Sequence, residues 1–310
     1  MIINTGSRTD IPAYYSEWFY NRIREGYVLT RNPYYPEQVM KYRLIPDVVD
    51  AIVFCTKNPE PMLDRLNEIS AFNQLWFITI TPYEKEIEPD VPKVEQVINS
   101  FQRLSDIVGR HCCGWRYDPI FISEKYTVGF HISQFEKMAK ALSGYTNQCV
   151  VSFIDLYEKT KKNFPQVKEV KKSDQEFLIK EFVNIGNKYH IRIRTCCENP
   201  ELEKLGADVS GCMTQQVLEN SIGYRMKVPN RSPARVECNC MLGNDIGMYN
   251  TCGHGCIYCY ANYDKKVVEQ NMKQHDPKSP LLIGEVQEGD MIKEAKQVLY
   301  KDCQMSIFDL

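Results

Sequence analysis

Short apolar runs alternate with amphipathic stretches along the first two-thirds of the chain, the pattern of parallel βα units rather than of an all-helical or all-β fold. Residues 2–5, 51–56, 76–81, 114–117, 149–154 and 191–195 read as strands. Each is followed by a stretch with helical spacing of its apolar positions, at 16–25, 59–69, 94–108, 133–142, 173–188 and, more briefly, 200–205. No long Gly/Ser linker separates these units. The pattern predicts an α/β fold, an incomplete (β/α) barrel over residues 1–205, although an open doubly wound sheet has the same periodicity. Residues 206–310 form a Cys-rich, turn-rich segment with one further helical pattern at 260–274, expected to pack on the same domain.

A chain of 310 residues can bury a large core. Its 38 basic and 40 acidic residues leave a formal charge of −2, which gives no global attraction to nucleic acid or anionic membrane. No apolar run approaches the roughly 18 residues of a membrane span, and the start M-I-I-N-T-G-S-R-T-D carries no secretory pattern, so the expected setting is cytoplasmic. In a reducing compartment thirteen cysteines point to metal ligation rather than disulfides. Eight of them fall between Cys196 and Cys259; Cys55, Cys112, Cys113, Cys149 and Cys303 are scattered and read as small buried apolar residues. The lysines around 159–173 read as a solvated loop.

The run T-C-G-H-G-C-I-Y-C-Y-A-N holds Cys252, Cys256 and Cys259 on one short loop. Three thiolates at this spacing can hold three irons of a 4Fe-4S cluster and leave the fourth iron open to a small molecule. Zinc takes the same ligands, but structural zinc sites show paired C-x2-C knuckles, and His254 stands too close to Cys252 to complete the set readily. A second set is formed by Cys212, Cys238, Cys240 and one of the adjacent pair Cys196 and Cys197, with Cys197 favoured because it adjoins Glu198. Four soft ligands suit a second 4Fe-4S cluster or a zinc ion, and the iron–sulfur loop tips the expectation toward the cluster.

In parallel barrels reactive groups gather where the strands end. The polar residues closing each apolar run include Ser7, Arg8 and Asp10, then Lys57, then Arg116 and Asp118. Basic side chains suit carboxylates and other anions, and carboxylates suit hydroxyl and ammonium groups. Arg116 with Asp118 is equally readable as a rim ion pair, and Asp10 before Ile-Pro as a helix cap. Lys57 stands out because it directly follows the apolar run A-I-V-F-C.

The C-x3-C-I-Y-C loop resembles the signature of the radical S-adenosylmethionine (SAM) enzymes. That resemblance implies that the open iron chelates SAM, that reductive cleavage yields a 5'-deoxyadenosyl radical, and that Tyr258 lies near the adenine. I-V-F-C-T-K-N-P, W-F-I-T-I-T and W-R-Y-D-P-I look like strand-end motifs of the branch that includes spore photoproduct lyase. There the cysteine loop follows the first strand, whereas here it follows all six βα units. The resemblance therefore implies a circularly permuted barrel in which the segment near 246–250 supplies the first strand and 2–5 the second. Ser7, Arg8 and Asp10 would then replace the glycine-rich run that binds the SAM amino group. Nearly the whole chain, including S-R-T-D-I-P-A-Y-Y, T-K-N-P, C-N-C and D-I-G-M-Y, resembles a family of uncharacterised bacterial proteins, domain of unknown function 1848. The expected partners are a small-molecule or otherwise unknown substrate and an electron donor such as flavodoxin or ferredoxin. The photoproduct lyase likeness also implies a nucleic-acid substrate, which the near-neutral charge disfavours. A zinc-stapled binding protein and an electron carrier with two closed clusters are the remaining readings.

Overall fold

The computed structural model describes residues 1–229, 238, 240, 241 and 243–302. Its strands in chain order are β1 (Ile2–Asn4), β2 (Tyr27–Arg31), β3 (Gln38–Arg43), β4 (Ala51–Thr56), β5 (Gln74–Thr79), β6 (Cys113–Ile120), β7 (Gln148–Phe153), β8 (Arg192–Thr195), β9 (Asn244–Asp245) and β10 (Met291–Glu294). Seven form one sheet in the order β8-β7-β6-β5-β4-β1-β9. All its neighbours pair in parallel.

From β1 to β8 every step across this sheet advances along the chain. A doubly wound sheet reverses direction at a switch point, and this one does not. The sheet is open among the described residues, with β8 and β9 as its end strands and Asp208 bridging the outer edge of β8. β9 extends it beside β1, just upstream of the 246–250 segment expected there.

Alternation of side chains along each strand separates two faces. Ile3, Ile52, Phe54, Trp76, Ile78, Trp115, Tyr117 and Val151 join the large core beneath the flanking helices. There Phe54 stacks on Trp76 with centroids 3.9 Å apart, and Phe135 stacks on Trp115 at 4.6 Å and on Phe182 at 3.9 Å. On the other face Ile2, Ala51, Val53, Leu75, Phe77 and Val150 pack against Cys212, Met213, Val217 and Leu218. The Cys-rich segment thus covers the face that the helices leave free, through the helix Gln215–Ile222, which Thr214 caps and the left-handed Gly223 ends.

Strand and helix positions follow the hydrophobic pattern closely, with departures that include the helix Gln215–Ile222 in the stretch read as turn-rich. A second sheet, β10-β3-β2, forms where no strand was expected. The expected helix at 260–274 begins only at Lys265, where Asp264 accepts from the amides of Lys266 and Val267. The lysine-rich stretch begins with a short helix, Glu158–Asn163, rather than a loop. Cys112, Cys113 and Cys149 are buried as expected, Cys55 is partly exposed, and Cys303 lies outside the described residues. Among the described residues no helix is long and apolar enough to cross a membrane.

Candidate functional site

The C-terminal ends of the strands open on a cavity of about 610 Å³, within the range of small-molecule sites. Ser7 and Arg8 after β1, Lys57 after β4, and Arg116 and Asp118 of β6 line it. Both sets of cysteines line it as well.

The loop carrying Cys252, Cys256 and Cys259 is held by contacts along its whole length. Tyr15 donates its hydroxyl to the Thr251 carbonyl at 2.5 Å. His254 is buried, with Nε2 2.8 Å from the Asp10 carboxylate and Nδ1 3.1 Å from the Tyr14 hydroxyl. Both ring nitrogens are therefore engaged away from the thiols. The Asp90 amide donates to the His254 carbonyl and the Ile257 amide to the Ile87 carbonyl, each at 3.1 Å. Gly253 is required by close approach, since a Cβ there would lie 2.7 Å from Cε1 of Tyr14.

Glu88, 3 % exposed, joins this loop to the sheet. Its Oε1 accepts from Lys57 Nζ at 2.8 Å, from Thr81 Oγ1 at 2.7 Å and from the Tyr258 hydroxyl. Burial opposes the Lys57 ammonium, but Glu88 and the nearby Cys256 outweigh it and hold the lysine pKa above its usual value. The Tyr258 ring lies 5.7 Å from Lys57 Nζ.

Burial pushes the three loop thiols above the ordinary thiol range. A metal that displaces their protons removes that penalty. Cys259 Sγ already accepts from the Ala261 amide at 3.4 Å, a contact that favours thiolate. Two buried oxygens on the cavity, Asn262 Oδ1 and Thr9 Oγ1, have no hydrogen-bond partner. Unsatisfied buried polar atoms are uncommon in folded proteins.

The second set is more compact. Cys212 Sγ lies 3.4 Å from Cys196 Sγ and 3.2 Å from Cys240 Sγ, and all three sulfurs lie within 4.8 Å of one another. Among the described residues this is the thiol trio that meets that spacing, so the loop thiols are spread more widely. Three thiols are thus close enough to bind a metal. Cys196 holds the place for which the sequence favoured Cys197, and Cys197 lies against both Cys196 and Cys238. Its left-handed φ of 57° turns the chain directly after Cys196. Arg116 is paired with Asp118 and reaches Cys212. Hydrogen bonds from Cys196 and Cys240, with Arg116 in support, hold the Cys212 pKa well below the usual thiol value.

Of the remaining expected residues, Ser7 donates its amide to Asp245 at 2.7 Å and its hydroxyl accepts from Asn4 at 2.5 Å. The Arg8 guanidinium lies 5.6 Å from the centre of the Tyr249 ring. Asp10 accepts from Thr56 Oγ1 and from the amides of Lys57 and Ala13 besides contacting His254. It is the cap foreseen for the following helix and also an anchor of the cysteine loop. Glu88 and Asp245 were not expected. Glu88 sits in Y-E-K-E-I-E-P-D, where nothing local distinguishes it from Glu84 and Glu86, and Asp245 has no strand signal long enough to place it.

No curated protein and no solved structure matches the chain. A family model described as Domain of unknown function (DUF1848) matches residues 2–261, from β1 through the cysteine loop, and the chain belongs to that family.

Proposed function

We propose that the chain is a radical SAM enzyme built on a circularly permuted, incomplete (β/α) barrel. The observation that carries this reading is the placement of Cys252, Cys256 and Cys259: three spread thiols on one anchored loop, facing a cavity lined by strand-end polar groups. A 4Fe-4S cluster needs ligands set apart around its body, and the unpartnered Asn262 Oδ1 and Thr9 Oγ1 fit a polar ligand beside it. The unidirectional strand order and the pairing of β9 with β1 support the permutation.

When bound at Cys252, Cys256 and Cys259, a cluster would supply the electron for reductive SAM cleavage and so for hydrogen abstraction from the substrate. The chain's own groups position the reactants. Arg8 offers a cation for a carboxylate, and Ser7 offers a hydroxyl at the same strand end. Glu88, neutralised by Lys57, orients Tyr258 beside Cys259 through the tyrosine hydroxyl, for the adenine side. Asp10 acts through His254 by fixing the loop. Arg116 and Asp118 face the part of the cavity nearer the second thiol group, where substrate is expected, and a flavodoxin or ferredoxin is the expected electron donor.

The test is the electron paramagnetic resonance spectrum of reconstituted, reduced protein with and without SAM. Ligation at the open iron shifts the signal. A spectrum indifferent to SAM would refute the reading.

A further inference from the structure

We infer that Cys196, Cys212 and Cys240 hold a single zinc ion, rather than an auxiliary iron–sulfur cluster, and that this ion staples the cysteine-rich segment to the sheet. The argument begins from sulfur spacing. Tetrahedral zinc with Zn–S near 2.3 Å sets its sulfurs roughly 3.8 Å apart. The observed separations of 3.4 and 3.2 Å need only a small outward movement to reach that value. A four-iron cubane places iron and sulfide between its ligands and holds them much further apart, so this trio would have to open widely to receive one. The fourth corner falls to Cys238, which Cys197, directly after Cys196, touches.

The surroundings suit a thiolate-bound ion. The Met213 amide donates to Cys240 Sγ at 3.4 Å. Gly211, with φ of 114°, leaves room for that sulfur, because a Cβ would stand 3.3 Å from it. The Arg116 guanidinium lies beside Cys212 and offsets the negative charge that several thiolates leave on a zinc centre.

The three ligands come from parts of the chain that need joining. Cys196 follows β8, at one end of the sheet, and Cys240 precedes β9, at the other. Cys212 precedes the helix that covers the sheet face between them. An ion here fixes β9, whose Asp245 accepts from the Ser7 and Gly247 amides. The cysteine loop follows directly, so the staple sets where that loop leaves the sheet.

This inference does not depend on the reading of the loop, and its test separates the two. The full chain with Cys252, Cys256 and Cys259 all changed to alanine is purified and assayed for zinc, iron and acid-labile sulfide, with X-ray absorption at the zinc edge. About one zinc per chain with sulfur scatterers near 2.3 Å is expected. About four irons with matching sulfide, or no stoichiometric metal, would overturn the inference. Adding Cys212→Ser is expected to lower bound zinc at least about tenfold. Should that variant fail to fold, cobalt loaded into the triple variant gives the independent readout. Intense tetrahedral d–d bands with thiolate charge transfer support the site, and the weak spectrum of an oxygen-ligated ion refutes it.

Discussion

Replacing Glu88 by glutamine tests the polar network that joins the cysteine loop to the sheet. The amide keeps the shape and one acceptor, but it removes the counter-charge of Lys57, whose side chain is 13 % exposed. Breaking a buried ion pair from one side costs about 3–5 kcal/mol. Lys57 borders the cavity and can turn toward it, which lowers the expected loss to about 2–3 kcal/mol. In a chain of this size that corresponds to a fall in Tm of roughly 3–5 °C. The assay is a double-mutant cycle on metal-free protein, comparing Glu88→Gln, Lys57→Met and the double variant by denaturant unfolding. Removing both charges relieves the unpaired ammonium, so a coupling of about 1.5 kcal/mol or more is expected. Coupling below about 0.5 kcal/mol would show that the pair is not energetically joined and refute the reasoning.

His131 is fully buried, with Nδ1 2.8 Å from the Tyr117 hydroxyl and Nε2 2.9 Å from the Phe121 carbonyl. Burial lowers its pKa from 6.5 to about 4. The unfolded chain therefore binds the extra proton first, and acidification from about pH 6.5 to 4 removes up to about 3 kcal/mol of stability. In His131→Phe that acid-dependent component should vanish from unfolding curves, and an unchanged pH slope would count against it. Gly253→Ala should push the Tyr14 ring off His254 and lower reconstituted iron by about half or more, because the added Cβ meets Tyr14 at 2.7 Å; iron content equal to wild type would contradict that role. Chelating the zinc staple should lower Tm in the triple cysteine-to-alanine variant, and a Tm insensitive to chelator would show that the second thiol group does not support the fold.

The strands and helices that build the sheet were legible because burial on both faces writes long apolar runs. A-I-V-F-C-T became β4, and the 94–108 spacing became the helix Val94–Val108. β2 and β3 were missed because they form a small sheet over the minor core of Leu29, Val39 and Leu281, where only a few positions need be apolar. β9 spans two residues and exists through its pairing with β1, so no local pattern could announce it. The cysteine loop was readable from spacing alone. The choice between Cys196 and Cys197 was not, since it depends on a left-handed turn at Cys197. Glu88 was hidden for a related reason: its importance comes from Lys57, Thr81 and Tyr258, which chain folding brings to it from three separate segments.

Under the radical SAM reading proposed above, the cavity beside Cys252, Cys256 and Cys259 performs reductive SAM cleavage. The most direct measurement is 5'-deoxyadenosine formed from SAM by anaerobically reconstituted, reduced protein, set against the variant with those three cysteines changed to alanine. Deoxyadenosine is expected from the wild-type chain and none above background from the variant, with the variant still folded. Equal production by both proteins, or none from a wild-type chain loaded with its iron, would contradict it.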